Sequence, residues 1–190
     1  MFRALTSRIM HVSNIDAIDW RLLGALQDNA ALTNAELAGR AGISASQVSR
    51  RRQRLEQDGL IRGYRALLDA GRLGLGVTVF VRVTLAAHSA NNARRFADLV
   101  AVRPEILEAH SMTGDSDYLL KVALGDLKEL ARFVGDVLLP HASIDRVRSE
   151  IVLETLKEAA PLPLPSSSRP APGRPGSAKT LPKPAGRTFA

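Results

Sequence analysis

The chain has 190 residues, 45% of them hydrophobic, with 26 Lys plus Arg against 19 Asp plus Glu and a net charge of +7. That is enough apolar material for one ordinary domain or two small ones. No cysteine is present, which excludes a disulfide framework, a thiolate metal site and a cysteine nucleophile. No run of about 18 apolar residues exists, so no transmembrane helix is expected. The basic start Met1–Arg8 lacks the apolar core of a signal peptide, and a cytoplasmic protein without membrane contact is the expectation.

Residues 1–13 read as an N-terminal extension and residues 14–65 as a helical domain. Ile18, Leu22, Leu23 and Leu26 recur at helical spacing, behind Asp16 as N-cap. Thr33-Asn34-Ala35-Glu36 is a capping box that opens a short helix with Leu37, Ala38 and Ala41 inward, broken at Gly42-Ile43. Ser44-Ala45-Ser46-Gln47 is a second capping box, for a helix running to about Gln57 with Gly59 as its stop. Two capped helices separated by a short Gly-containing turn form a helix-turn-helix pattern. Residues 60–75 read as a short extended segment and linker, the linker proper covering 66–76 and punctuated by Gly71, Gly74 and Gly76.

The periodicity then changes from helical to alternating. Val77, Val79, Val81, Val83 and Leu85 mark a strand, and Ala93, Phe96, Ala97 and Val100 a helix. Ile106–Met112 and Tyr118–Leu124 are two strands joined by Thr113-Gly114-Asp115-Ser116. Leu127, Leu130, Val134, Val137 and Leu138 share a helical face ended by Pro140, and residues 146–153 alternate as a last strand. The order is βαββαβ, a ferredoxin-like domain over 77–158. The fold class is therefore α+β. Eight of the ten prolines lie between Pro161 and Pro184, so residues 159–190 read as a basic, Pro-rich, disordered tail.

Charge is unevenly distributed. The tail holds five basic residues (Arg169, Arg174, Lys179, Lys183, Arg187) and no acid, and residues 66–158 carry a net −2. Between Ser44 and Arg65 there are six Arg and two acids, a local net of +4. A helix this basic, second in a helix-turn-helix, suits the major groove of DNA. Ser44, Ser46, Gln47, Ser49 and Arg50 are the candidates for its DNA-contacting start, with Arg51 and Arg54 as candidate phosphate contacts. Arg52 falls on the row that should face the core, so either its stem packs with the guanidinium turned outward or it pairs with Glu56 or Asp58. Asp16 and Asp19 are explained by capping, and Trp20 and Tyr64 by packing. His11, His88, His110 and His141 lack metal-ligand spacing. No metal, no cofactor and no catalytic residue is expected. The loop Gly114–Tyr118 combines close backbone approach with two carboxylates suited to an ammonium group, although Gly and Asp are also what an ordinary turn uses.

These pieces together resemble the Lrp/AsnC (feast/famine) family of transcription regulators. The resemblance rests on Ile15-Asp16-Ala17-Ile18-Asp19, Glu36-Leu37-Ala38, Gly42-Ile43-Ser44-Ala45-Ser46-Gln47-Val48, Arg54-Leu55-Glu56, Gly59-Leu60-Ile61 and Gly63-Tyr64. It continues through Gly114-Asp115-Ser116-Asp117-Tyr118-Leu119-Leu120, Lys157 and Pro161-Leu162-Pro163-Leu164. It implies a winged-helix-like reader of double-stranded DNA joined to an effector-binding and oligomerisation domain. It also implies homodimers that assemble into tetramers or octamers, and an amino-acid effector held near Gly114, Asp115, Asp117 and Tyr118, with Ser149 as a further contact. Arg52 departs from the family's usual apolar residue. Met1–Ile9 and the residues after Leu164 fall outside the resemblance, Met10 being a typical family start. Two other readings stay open: an enzyme of the same fold resembling sirohaem decarboxylases, and an amino-acid-binding interaction module that does not touch DNA.

Overall fold

The computed structural model describes residues 15–87 and 89–165. The expectations for residues 1–13, His11, His88 and the charges of the tail beyond Pro165 fall outside the described residues. The described chain divides into two compact units, one of residues 66–159 and one of residues 15–65 with 160–165. None of its helices is long and apolar enough to cross a membrane.

The helical unit contains α1 (Ala17–Asp28), α2 (Asn34–Ala41) and α3 (Ala45–Gln57). Thr33 and Ser44 form the two expected capping boxes. A third caps α1, where Asp16 accepts from the Asp19 N–H and the Asp19 carboxylate accepts from the Asp16 N–H. Gly42 ends α2 at φ 72°, a left-handed conformation that a Cβ would strain, and its N–H bonds Ala38 O at 2.9 Å. Leu22, Ala25, Leu26, Leu32, Leu37, Ala41 and Val48 make the core, with Ile18, Ala38, Ile43 and Ile61 packed against it. The segment after α3 is held by Leu60 and Ile61 N–H groups donating to Leu55 O. It forms no strand among the described residues, so no paired wing is seen there. Within the same unit, the Gln27 side chain accepts from the Leu162 N–H at 2.7 Å and donates to Leu162 O at 3.4 Å.

The second unit runs β1 (Val77–Leu85), α4 (Ala90–Ala101), β2 (Ile106–Ser111), β3 (Tyr118–Leu124), α5 (Leu127–Arg132), a π-helical segment (Phe133–Leu138) and β4 (Ile144–Ile151). The sheet order is β2-β3-β1-β4 with every pair antiparallel. This is the expected ferredoxin-like arrangement. Three elements differ in detail: β2 ends at Ser111 rather than Met112, the last helix changes to π geometry after Arg132, and β4 starts at Ile144 and ends at Ile151 rather than spanning 146–153. Alternation along β1 places Val79, Val81, Val83 and Leu85 on the helix-covered face, with Phe96, Leu120, Val122, Phe133 and Leu138. The intervening Thr78, Phe80, Arg82 and Thr84 occupy the other face, which is only half-buried.

Phe96 is 1% exposed, and its ring centroid lies 4.6 Å from that of Tyr118. Phe96→Ala is expected to destabilise this unit by about 3–5 kcal/mol in urea unfolding; a loss below about 1 kcal/mol would show that α4 is not anchored by this ring.

Candidate DNA-reading helix and effector cleft

On α3, Val48 and Leu55 are buried and point into the core. A helical turn of 3.6 residues then places Ser46, Ser49, Arg50 and Gln53 on the opposite side, all exposed. Ser49, Arg50 and Gln53 have no hydrogen-bonding or ionic partner among the described residues. Gln53 was missed from the sequence; counting one more turn beyond Arg50 would have found it. Ser44 and Gln47 are engaged with each other in the capping box, the Gln47 Oε1 accepting from the Ser44 N–H at 3.0 Å. The Gln47 amide NH2 remains available. The Ser46 hydroxyl lies 3.0 Å from that of Ser44.

The other arginines of α3 are engaged within the chain. Arg51 Nη1 donates to Asp16 Oδ2 at 2.6 Å and to Asp19 Oδ1 at 2.8 Å, and Arg54 Nη2 donates to Asp19 Oδ2. Both guanidinium groups named above as phosphate contacts therefore lie against carboxylates of α1, and the Asp19 side chain is wholly buried. Burial alone would raise the Asp16 carboxyl, but the Asp19 N–H and the Arg51 guanidinium hold it below the usual carboxylate range. Capping thus accounts for only part of what Asp16 and Asp19 do.

Arg52 takes the second course that the sequence allowed, pairing with Glu56. Its guanidinium sits 4.6 Å over the Tyr64 ring, while its Nε donates to Glu56 Oε1 at 3.2 Å and to the Tyr64 hydroxyl at 2.9 Å. Tyr64 in turn donates to Glu56 at 2.8 Å. Burial and the bond to Glu56 push the Tyr64 hydroxyl up. A polar staple thus replaces the apolar contact expected there, and it fastens the segment after α3 to the helix.

The expected effector residues separate in the structure. Gly114 takes φ 131° at the tip of the β2–β3 loop. Asp117 ties that loop to β1: its N–H donates to Val83 O at 3.0 Å, and its Oδ2 accepts from the Leu85 N–H at 2.7 Å. Tyr118 packs on Phe96 and the core. Ser149 pairs across the ladder with Val81, so it faces the helix-covered side of the sheet. Asp115 alone of the five lines a cleft, about 440 Å³ in volume, on the open face.

That cleft is otherwise lined by Met112, Thr113 and Ser116 of the loop region, Arg82 and Thr84 of β1, and Arg146, Arg148 and Glu150 of β4. Glu150 accepts from Arg82 Nε at 3.1 Å and lies 3.8 Å from Arg148 Nε. Arg146 makes no ion pair among the described residues. Arg146 and Asp115, neither of them in an ion pair among the described residues, thus border a single cleft, a layout matched to a zwitterion. The alternation of β1 and β4 carried the signal for these arginines, because they fall on the polar half of each strand. A larger groove, about 570 Å³, lies between Leu75, Leu107, Phe133 and Val137. Its one cation, Arg132, is 3.8 Å from Glu129, so it offers no unpaired cation to a carboxylate.

Comparison with known proteins places both units. Residues 15–62 match the model of a winged helix-turn-helix DNA-binding domain, and residues 78–162 that of the Lrp/AsnC ligand binding domain. The chain is similar to a leucine-responsive regulatory protein of Rhizobium meliloti, with 41% identity over 145 residues covering 76% of this chain and 93% of the relative. It is 36% identical over 157 residues to a glutamate uptake regulatory protein of Zymomonas mobilis, covering 83% and 95%. Among solved structures, a transcriptional regulator of Neisseria meningitidis in complex with L-Met superposes with a TM-score of 0.75 at 36% identity, covering 78% and 96%. The helix-turn-helix, the βαββαβ unit and these matches over both lead to one conclusion: the chain belongs to the Lrp/AsnC family of DNA-binding transcriptional regulators.

Proposed function

We propose that the chain acts as a dimer or larger assembly, reads duplex DNA with the outer face of α3, and adjusts that binding when an α-amino acid enters the cleft beside Asp115. The observation that carries the reading is the outward stripe of α3, where Ser49, Arg50 and Gln53 stand exposed without partners among the described residues. Short polar side chains and one Arg can bond base edges in the major groove, Arg pairing bidentately with guanine. Two copies would read half-sites one helical turn apart, about 10 bp.

For the effector, Asp115 would accept from the ammonium group and Arg146 would hold the carboxylate. Met112, Thr84 and Ser116 would border the side chain. One relative is leucine-responsive by name and another was solved with L-Met; the class of ligand is carried over, not the individual amino acid. Association of copies is supported by the half-buried sheet face around Phe80. The linker adds to this, leaving Leu67 82% and Leu68 72% exposed, an apolar patch that water does not favour. The relatives compared are regulators by name, which supports a role without catalysis.

Selection of genomic fragments at physiological salt, repeated with a panel of amino acids, tests the reading. Wild-type protein is expected to retain a defined set of fragments, and one amino acid to change its affinity for them by about 5–150-fold. Asp115→Ala and Arg146→Ala should each lose that change and keep the ligand-free affinity. A full response in both variants would remove the cleft from the effector site. Failure to retain any fragment would remove DNA reading and favour the interaction-module reading. In light scattering, the protein is expected to have at least twice the mass of one chain, and Leu67→Glu with Leu68→Glu to lower it; a single-chain mass for wild type would contradict the assembly.

A further inference from the structure

Among the described residues of the helical unit, Asp19 is the one buried acid. A lone carboxylate removed from water is strongly unfavourable unless donors surround it. Here three groups donate to it: the Asp16 N–H at 3.2 Å, Arg51 at 2.8 Å and Arg54. Arg51 and Arg54 are three residues apart on α3, so one side chain of α1 grips two positions on the same side of the DNA-facing helix. The pair of arginines and the pair Asp16 and Asp19 balance in charge. With Arg52 bound to Glu56, Arg50 is the only arginine of α3 that forms no ion pair among the described residues.

We propose that Asp19 is a positioning residue for DNA reading: through Arg51 and Arg54 it fixes the rotation of α3 about its own axis, so that Ser49, Arg50 and Gln53 meet base edges, and neither Arg51 nor Arg54 acts as a phosphate contact. The geometry favours this for a definite reason. Rotation of α3 by one residue, about 100°, would carry Arg50 off the outer face. The apolar contacts of Val48 and Leu55 are non-directional and resist a small turn weakly. Two charge-assisted hydrogen bonds to one buried carboxylate resist it strongly, because they are directional and cannot be replaced there by water. The inference rests on the reading of α3 as the DNA-contacting helix.

The test uses the full chain, a duplex selected from genomic fragments by the wild-type protein, and a random-sequence duplex. Each phosphate contact contributes a slope of about 0.9 to the dependence of log K on log salt. Arg54→Gln and Arg51→Gln are expected to leave the slope on the random duplex unchanged, while Arg50→Gln lowers it by up to about 0.9 or reduces discrimination between the duplexes. Arg54→Lys keeps the charge and removes the shaped contact to Asp19. It is expected to reduce the ratio of selected to random affinity by about tenfold or more. Asp19→Asn should do the same. If the glutamine variants or Asp19→Asn fail to fold, Arg54→Lys decides: an unchanged ratio overturns the proposal. A slope lowered by about 0.9 in Arg54→Gln or Arg51→Gln also overturns it, since that residue is then a phosphate contact. If Arg50→Gln changes neither slope nor ratio, α3 is not the reader, and the proposed function fails rather than the positioning role alone.

Discussion

A single buried carboxylate sets the terms for the DNA-binding half of this molecule. Asp19 is placed at the first turn of α1 by the capping box with Asp16, where the amide dipoles of the helix favour a negative charge. Once there, it must be neutralised, and α3 supplies the two guanidinium groups that do so. The consequence reaches the charge distribution of the whole domain. The net +4 between Ser44 and Arg65 falls to +2 when Asp16 and Asp19 are counted with the arginines they touch. The positive field of the reader is therefore smaller than its sequence suggests, and more of its selectivity must come from where α3 points.

The effector half is governed by a different constraint, the two-residue period of its strands. Valines at alternate positions of β1 seal one face of the sheet under α4, α5 and the π-helical segment. The same alternation forces Arg82 and Thr84 onto the other face, and pairing with β4 brings Arg148 and Arg146 opposite them. Asp117 then folds the β2–β3 loop against the end of β1, leaving Asp115 at the edge of the cleft. A carboxylate two residues from another thus does a wholly different job: one shapes the loop, the other faces the space where a ligand fits.

Much of the fold could be read from the sequence because its signals are local. Capping boxes at Thr33 and Ser44, the glycine at 42 and the alternating valines depend only on near neighbours. The site was harder because its contacts are remote in sequence. Arg51 and Arg54 meet an acid more than 30 residues earlier, which a charge count within a window misses. Ser149, named only through the family resemblance, pairs with Val81 and so falls on the helix-covered side of the sheet. Arg52, out of place in an apolar row, found Tyr64 twelve residues on. Tyr118, adjacent to the loop in sequence, is drawn into the core by Phe96.

The central claim is that α3 meets DNA through its outer face while its inner arginines stay with Asp19. Nuclear magnetic resonance of the arginine side-chain Nε–Hε groups, followed as the selected duplex is added, tests it most directly. The Arg50 signal should shift and broaden in proportion to bound DNA, while Arg51 and Arg54 keep the positions they hold in the DNA-free protein. Couplings from Arg51 or Arg54 to phosphate phosphorus, or an Arg50 signal indifferent to DNA, would contradict the account.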